Sequence, residues 1–421
     1  MSYFICLASI FLAGAASAQD FPDLSQDRYS CANIQYTYHV PEFKDTKAPS
    51  GYRPFYVSHY GRHGSRYRLD ANSYSRIIPQ LDSLHGKGLL TSAGEDMRNI
   101  IIWMRDEQNG VDGILTQVGS REHQGIGKRL YEHYPQIFRQ SDRQVAVSIA
   151  SNAQRCIQSM ANFCLSLKSK APGLDIRMYT GQKYYMLLAN PVDRSGLLKM
   201  VNAVTDSLIH ELIDPEATGK KFFKDVKGAA DVIKGQDIPT LIYNMFEVSS
   251  AVKCFDFDAP DPLRHFSDDE LKDLSRIFNV DNCCLYSNSF EGVDLPAEIS
   301  GKPILNDIIG KADAAIAGND VCADLRFGHD SGLGPLLALI GVEGYDHYPR
   351  LADSYRIWPA WKYLPMGSNL QMIFYRNGKG DVLVKLLRNE EETTIPAVPS
   401  FRGPYYRWSD LRAYFTAKLK D

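Results

Sequence analysis

Three short apolar runs constrain this chain more than any other feature. Tyr52–Ser58, rich in aromatic and β-branched residues, Val145–Ile149 and Val321–Phe327 each read as a strand. Each leads into a polar, turn-forming segment and then into a helical pattern. A strand that feeds a helix, repeated along a chain, is the unit of an α/β fold with a largely parallel sheet. Helical patterns follow the first run around 72–84, 91–108 and 117–133, the second starting at Thr91. Ser151 is read as opening a helix that reaches about Leu167. After the third run, Gly332 and Gly334 introduce an apolar helix Leu336–Ile340, with Pro335 suited to its first turn. Asn369–Tyr375 and Val382–Leu387 read as two strands joined by the hairpin signal Asn377-Gly378-Lys379-Gly380, and Ser409 as the cap of a last helix.

The pattern changes between about 175 and 318. Helical spacing recurs near 197–213, 239–250, 266–279 and 303–316, with polar loops between and little clear strand. The expectation is an α/β protein with a central, mostly parallel sheet and flanking helices, built from 19–174 and 319–421. A mainly helical insertion, 175–318, interrupts it. Residues 1–18 are read separately as a signal peptide. Phe4–Ala15 is apolar, has no charged side chain, and is too short to span a bilayer. It ends in Ala16-Ser17-Ala18, the small-x-small pattern of a signal peptidase site, which leaves Gln19 first. The reading is a periplasmic or secreted protein with no integral membrane segment.

A formal charge of -3, from 47 basic and 50 acidic side chains, gives no support to a general nucleic-acid binder. It leaves room for a local basic pocket, because net charge says nothing about placement. Seven of the cysteines lie beyond residue 18, with no CxxC and no His/Cys grouping suited to zinc. Cys156 and Cys164 fall in one apparent helix about 12 Å apart, too far to bridge. Cys254 paired with Cys283 or Cys284, and buried free thiols throughout, are the two open readings.

Arg62-His63-Gly64-Ser65-Arg66 is the densest chemical signal. Two arginines flank a histidine directly after a strand, where glycines at 61 and 64 permit a tight turn. In open α/β sheets ligands bind beyond the carboxyl ends of the strands, and guanidinium forks match the oxygens of a phosphoryl group. The placement recurs twice: Arg155 follows the second strand, and His329-Asp330 ends the third. Arg62, His63, Arg66, Arg155, His329 and Asp330 are therefore expected to line one pocket, with helix amino ends adding N–H donors for an anion.

These residues carry a resemblance. Arg62-His63-Gly64-Ser65-Arg66 resembles the RHGxR signature of the histidine acid phosphatases, the second branch of the histidine phosphatase superfamily. His329-Asp330 resembles that branch's HD motif, and Arg155 fits its third arginine. Leu115-Thr116-Gln117-Val118-Gly119, with Gly127 and Tyr134, is similar to the segment before that arginine, and Pro365-Met366-Gly367-Ser368-Asn369 to the C-terminal region. The Tyr-rich context of the signature is similar to that of secreted bacterial phosphatases related to multiple inositol-polyphosphate phosphatase. Two positions depart: Arg68 stands where the signature has proline, and His329-Asp330-Ser331 where that subgroup has HAE.

The resemblance implies a phosphomonoester hydrolase that forms a phosphohistidine on His63. Arg62, Arg66, Arg155 and His329 would clamp the phosphoryl oxygens, Asp330 would serve as proton donor, and no metal or other cofactor would be needed. Arg68, Lys183 and Lys362 are candidates for contacts to further phosphates. The implied partner is a phosphorylated, preferably polyanionic small molecule, with inositol hexakisphosphate first. A broad-specificity acid phosphatase acting on sugar phosphates or nucleotides is the alternative. An exported, catalytically inactive phosphate-ester binding protein is a third reading, which the joint presence of His63 and Asp330 disfavours.

Overall fold

The structure, a computed structural model, describes residues 24, 27–189, 191, 195–287, 297–345 and 354–420. The expected signal segment lies outside the described residues. One mixed sheet organises the chain: β1 (Arg53–Arg62), β2 (Val145–Ala150), β3 (Asp175–Thr180), β4 (Val321–Gly328), β5 (Asn369–Arg376), β6 (Val382–Arg388), β7 (Glu391–Thr393) and β8 (Tyr405–Arg407). Their order is β3-β2-β4-β1-β5-β6-β7, with β8 also against β6. The strands from β3 to β1 run parallel, and β5 reverses direction to begin an antiparallel half.

Burial on both faces explains the apolar runs, since a parallel strand covered above and below has no wet side to alternate with. In β1 every residue from Phe55 to Arg62 is buried. The strand continues through Arg62, beyond the turn expected at Gly61, because Arg62 stays registered with Gly328 of β4 and its amide donates to Ser368 O, just before β5. The hairpin joining β5 and β6 closes as its sequence predicts. Asn377 Oδ1 accepts from the Lys379 and Asp381 amides, and Gly380 takes φ +87°.

Eleven helices matter here: α1 (Asn72–Gly86), α2 (Ser92–Gln108), α3 (Gln117–His133), α4 (Gln154–Lys170), α5 (Gln182–Ala189), α6 (Ser195–Leu212), α7 (Ile238–Ser249), α8 (Asp268–Tyr286), α9 (Ala297–Ala317), α10 (Asp330–Leu339) and α11 (Trp408–Lys418). On one sheet face Ile126 and Leu130 of α3 and Phe163 of α4 pack with Val57, Ala146 and Phe327. On the other, Ile304, Leu336 and Leu411 of α9, α10 and α11 pack with Tyr56, Tyr60 and Phe374. A third apolar cluster joins α1, α2, α6, α7 and α8 through Leu81, Ile101, Leu208, Phe246 and Leu274. This helical body thus recruits α1 and α2 from before the strand-poor stretch. Conversely β3, inside 175–318, pairs with β2 and extends the sheet.

Several local expectations are corrected. The helix after β2 starts at Gln154, with Ala153 at its cap, while Ser151 stays extended. The helix after β4 starts at Asp330, so Pro335 lies inside it. Gly332 and Gly334 are helical because the backbone needs the room: a Cβ on either would fall 2.1 Å from Leu188 O or 2.5 Å from Tyr286 O. Arg407, not Ser409, occupies the cap of α11. All seven cysteines beyond residue 18 are buried and unpaired, so Cys254 forms no bridge to Cys283 or Cys284. Among the described residues no helix is long and apolar enough to cross a membrane.

Candidate active site

The carboxyl ends of three parallel strands lie level. Arg62 of β1 registers with Gly328 of β4, and Phe327 with Ala150 of β2. The next residues, His63, His329 and Ser151, therefore leave the sheet side by side.

After His63 the chain passes close under α3, and two glycines make the crossing. A Cβ on Gly64 would stand 2.7 Å from Gly119 O, and one on Gly119 only 2.2 Å from Ser65 O. Thr116 caps α3 by accepting from the Gly119 amide. Glu122, buried on the same helix, takes three hydrogen bonds: 2.7 Å from the Ser65 amide, 2.7 Å from Ser65 Oγ, and 2.9 Å from the Tyr38 amide. Burial raises its carboxyl above the ordinary value, against the pull of those donors and of Arg62. His123 Nε2 donates to Arg62 O at 3.1 Å. A buried carboxylate saturated by three donors fixes the loop it binds. Gly119→Ala is expected to cost about 1–3 kcal/mol, because its methyl group meets backbone and not a movable side chain. A thermal midpoint equal to that of the parent would show that the loop and α3 can part freely.

Within this frame His63 is 1% exposed. Its Nδ1 lies 2.9 Å from Gly64 O. A carbonyl only accepts, so Nδ1 carries the proton and Nε2 the lone pair. Burial, then Arg155, Arg62, Arg66 and His329, hold the ring far below the ordinary histidine range. That setting disfavours a charge on the ring and leaves the Nε2 lone pair available.

The arginines are arranged around it with more donors than acceptors. Arg62 Nη1 donates to Ile34 O and Leu364 O, both at 2.8 Å. Its Nη2 is 2.8 Å from Asp330 Oδ2, in an ion pair not aligned as a hydrogen bond. Arg62 Nε, Arg66 Nε and Arg155 Nε are also buried without an acceptor. Burial and the charges of Arg155 and Arg62 lower Arg66 to about 10. Such unpaired buried donors are costly, and guanidinium forks match the oxygens of an oxyanion.

His329 completes the group, ring to ring 5.9 Å from His63. Arg155 Nη2 donates to its Nδ1 at 3.3 Å, and its Nε2 donates to Ser151 Oγ at 2.8 Å. Burial and Arg155 push it down to about 4 despite the opposing charge of Asp330. In this state the ring holds Arg155 and presents no free donor to the cavity. Asp330 Oδ1 accepts from the Ser331 amide. The open space over His63 measures about 320 Å³ and is also lined by Arg66, Arg155 and Asp330.

The sequence matches no protein-family model and no curated protein. Solved structures are similar over nearly the whole chain. Bifidobacterium longum multiple inositol polyphosphate phosphatase in complex with phosphate aligns with TM-score 0.76 at 17% identity, covering 93% of this chain and 98% of that one. Its apo form gives 0.74 at 18%, covering 91% and 97%. The phytase from D. castellii gives 0.66 at 14%, covering 98% and 90%. The chain has the histidine acid phosphatase fold.

On this histidine acid phosphatase fold four of the six residues expected at the strand ends, His63, Arg66, Arg155 and Asp330, line one cavity; Arg62 and His329 are buried beside it, against Asp330 and Arg155, and only one of the three outlying cations joins the lining. Arg68 lines the cavity, but its Nη2 lies 2.9 Å from each carboxylate oxygen of Glu247, and Nε and Nη1 donate to Ser73 and Gln35. Lys183, on α5, lines a different cavity with Asp307 and Asp324, and its ammonium lies over the Tyr184 ring. Lys362, in the helical turn Ala360–Tyr363, borders a third cavity beside Tyr36 and Tyr38. The supporting residues Glu122, His123 and Ser151 had no motif to announce them. Glu122 did leave one trace: with Val118, Ile126 and Leu130 it completes the buried stripe of α3, where a carboxylate is out of place.

Proposed function

We propose that this protein is a phosphomonoester hydrolase working through a phosphohistidine. The observation that carries the reading is His63 itself: a ring with a free Nε2, lining a cavity together with the guanidinium groups of Arg66 and Arg155 and the carboxylate of Asp330. His63 Nε2 attacks phosphorus as the ester P–O bond breaks, and Asp330 delivers its proton to the departing oxygen. Arg62, Arg66 and Arg155 hold the three phosphoryl oxygens as charge develops on them. His329 keeps Arg155 in position. Water then attacks the phosphohistidine, Asp330 recovers a proton from it, and phosphate leaves with His63 regenerated. A protein that only bound phosphate esters would need the arginines but neither His63 nor Asp330.

The fold shared with an inositol polyphosphate phosphatase and a phytase supports inositol polyphosphates as substrates. The engagement of Arg68 by Glu247, and the siting of Lys183 and Lys362 on other cavities, support a single phosphate on a less charged alcohol. The apolar run Phe4–Ala15 supports an exported protein. Release of phosphate from 4-nitrophenyl phosphate at acidic pH tests the hydrolase reading, and no release at any pH between 3 and 8 would reject it.

A further inference from the structure

The cavity over His63 is electrostatically two-ended. Around His63 the guanidinium groups of Arg66 and Arg155 outnumber the carboxylate of Asp330, against which Arg62 lies buried. Toward solvent the balance reverses: among the described residues the lining holds Asp70, Glu247 and Asp281 against Arg68 alone. Arg68 and Glu247 neutralise one another at 2.9 Å, which leaves Asp70 and Asp281 unbalanced. Asp70 is exposed and accepts the Asn72 amide.

Asp281 is different. It lies on the face of α8 formed by Phe278, Asp281, Asn282, Leu285 and Tyr286, whose spacing turns all five residues to the cavity. It is half-buried, and among the described residues no hydrogen bond or ion pair engages its carboxylate. Burial and then Glu247 raise its carboxyl above the ordinary value. A carboxylate held partly out of water without a counter-charge is unfavourable, and a cation beside it restores what burial removed. The independent pointer to a ligand is His63, which lines the same cavity at 1% exposure with no hydrogen bond on Nε2.

We infer that the pocket accepts phosphomonoesters whose alcohol portion carries a cationic amine, with the phosphate among Arg62, Arg66 and Arg155 and the ammonium against Asp281. This rests on the hydrolase reading and specifies its substrate class. The same arrangement opposes polyphosphates, since further phosphates would be driven against Asp70 and Asp281. Size agrees: about 320 Å³ is at the small end of the roughly 300–1,000 Å³ typical of ligand sites.

The test compares 2-aminoethyl phosphate, ethyl phosphate and inositol hexakisphosphate on the parent and on Asp281→Asn. At a pH above the raised Asp281 value, where its carboxylate is ionised, the parent is expected to favour the aminoethyl over the ethyl ester in kcat/KM by about tenfold, a preference that Asp281→Asn reduces to near unity. A binding arm in His63→Ala, read by calorimetry, needs no turnover, and the same order of affinities is expected there. Faster turnover and tighter binding of inositol hexakisphosphate than of the aminoethyl ester would overturn the inference. So would a selectivity ratio that Asp281→Asn leaves unmoved. If no ester is hydrolysed while the binding order holds in His63→Ala, the hydrolase reading fails and the assignment of the ammonium site stands.

Discussion

His63→Ala is expected to lower phosphate release by about 10⁵-fold or more, because removing a covalent nucleophile eliminates both half-reactions at once. The fold is expected to survive. His63 is buried among Arg62, Arg66 and Arg155, a setting that disfavours any charge on the ring, and its one hydrogen bond runs to the adjacent residue's carbonyl. The loop around it is fixed from outside, by Glu122 on Ser65 and by His123 on Arg62. The variant should therefore unfold within about 1 kcal/mol of the parent, the usual separation between a group placed for chemistry and one placed for stability. Acid quench of the parent with a labelled phosphate ester should trap label on His63, and the variant should trap none. Label on a serine, or near-parental activity in His63→Ala, would remove the phosphohistidine from the mechanism.

What the sequence disclosed follows from how each feature is encoded. β1, β2 and β4 were legible because strands buried on both faces are mostly apolar along their length and run into turn-forming segments. The hairpin between β5 and β6 was legible because Asn377 and the glycines are demanded by the turn itself. β3 left no such trace: it is an edge strand, Asp175–Thr180, with most side chains exposed, so neither alternation nor an apolar run marks it. Pro335 misled because a first-turn preference was applied to a helix that starts earlier, on glycines whose packing partners are remote in sequence. The site divides in the same way. Residues sitting at strand ends could be listed from local pattern alone. The pairing of Arg68 with Glu247 spans 179 positions, and no local signal reports that a guanidinium already has a partner. The siting of Lys183 and Lys362 on other cavities was hidden for the related reason that a lysine's charge is visible in the sequence but its direction is not.

The second large effect is expected at Asp330 and is best seen in the leaving group and in pH. Asp330→Asn should slow an alkyl phosphate by about 10²–10⁴-fold, the usual worth of a positioned proton donor. It should slow 4-nitrophenyl phosphate by less than about tenfold, since nitrophenolate departs without needing a proton. Burial draws the Asp330 carboxyl upward, but Arg62, His329, Arg66 and the Ser331 amide outweigh burial and hold it below the ordinary aspartate value. In the free protein its proton is therefore present only in acid, and kcat/KM for an alkyl ester should fall as pH rises above that depressed pKa. A bound phosphoryl dianion offsets the charge of Arg62, weakens its hold on Asp330 and moves the carboxyl upward. The fall in kcat should accordingly lie at higher pH than the fall in kcat/KM. Both falls should flatten in Asp330→Asn. An alkaline fall that survives the substitution unchanged, or equal losses on the alkyl and nitrophenyl esters, would assign the proton to a different group.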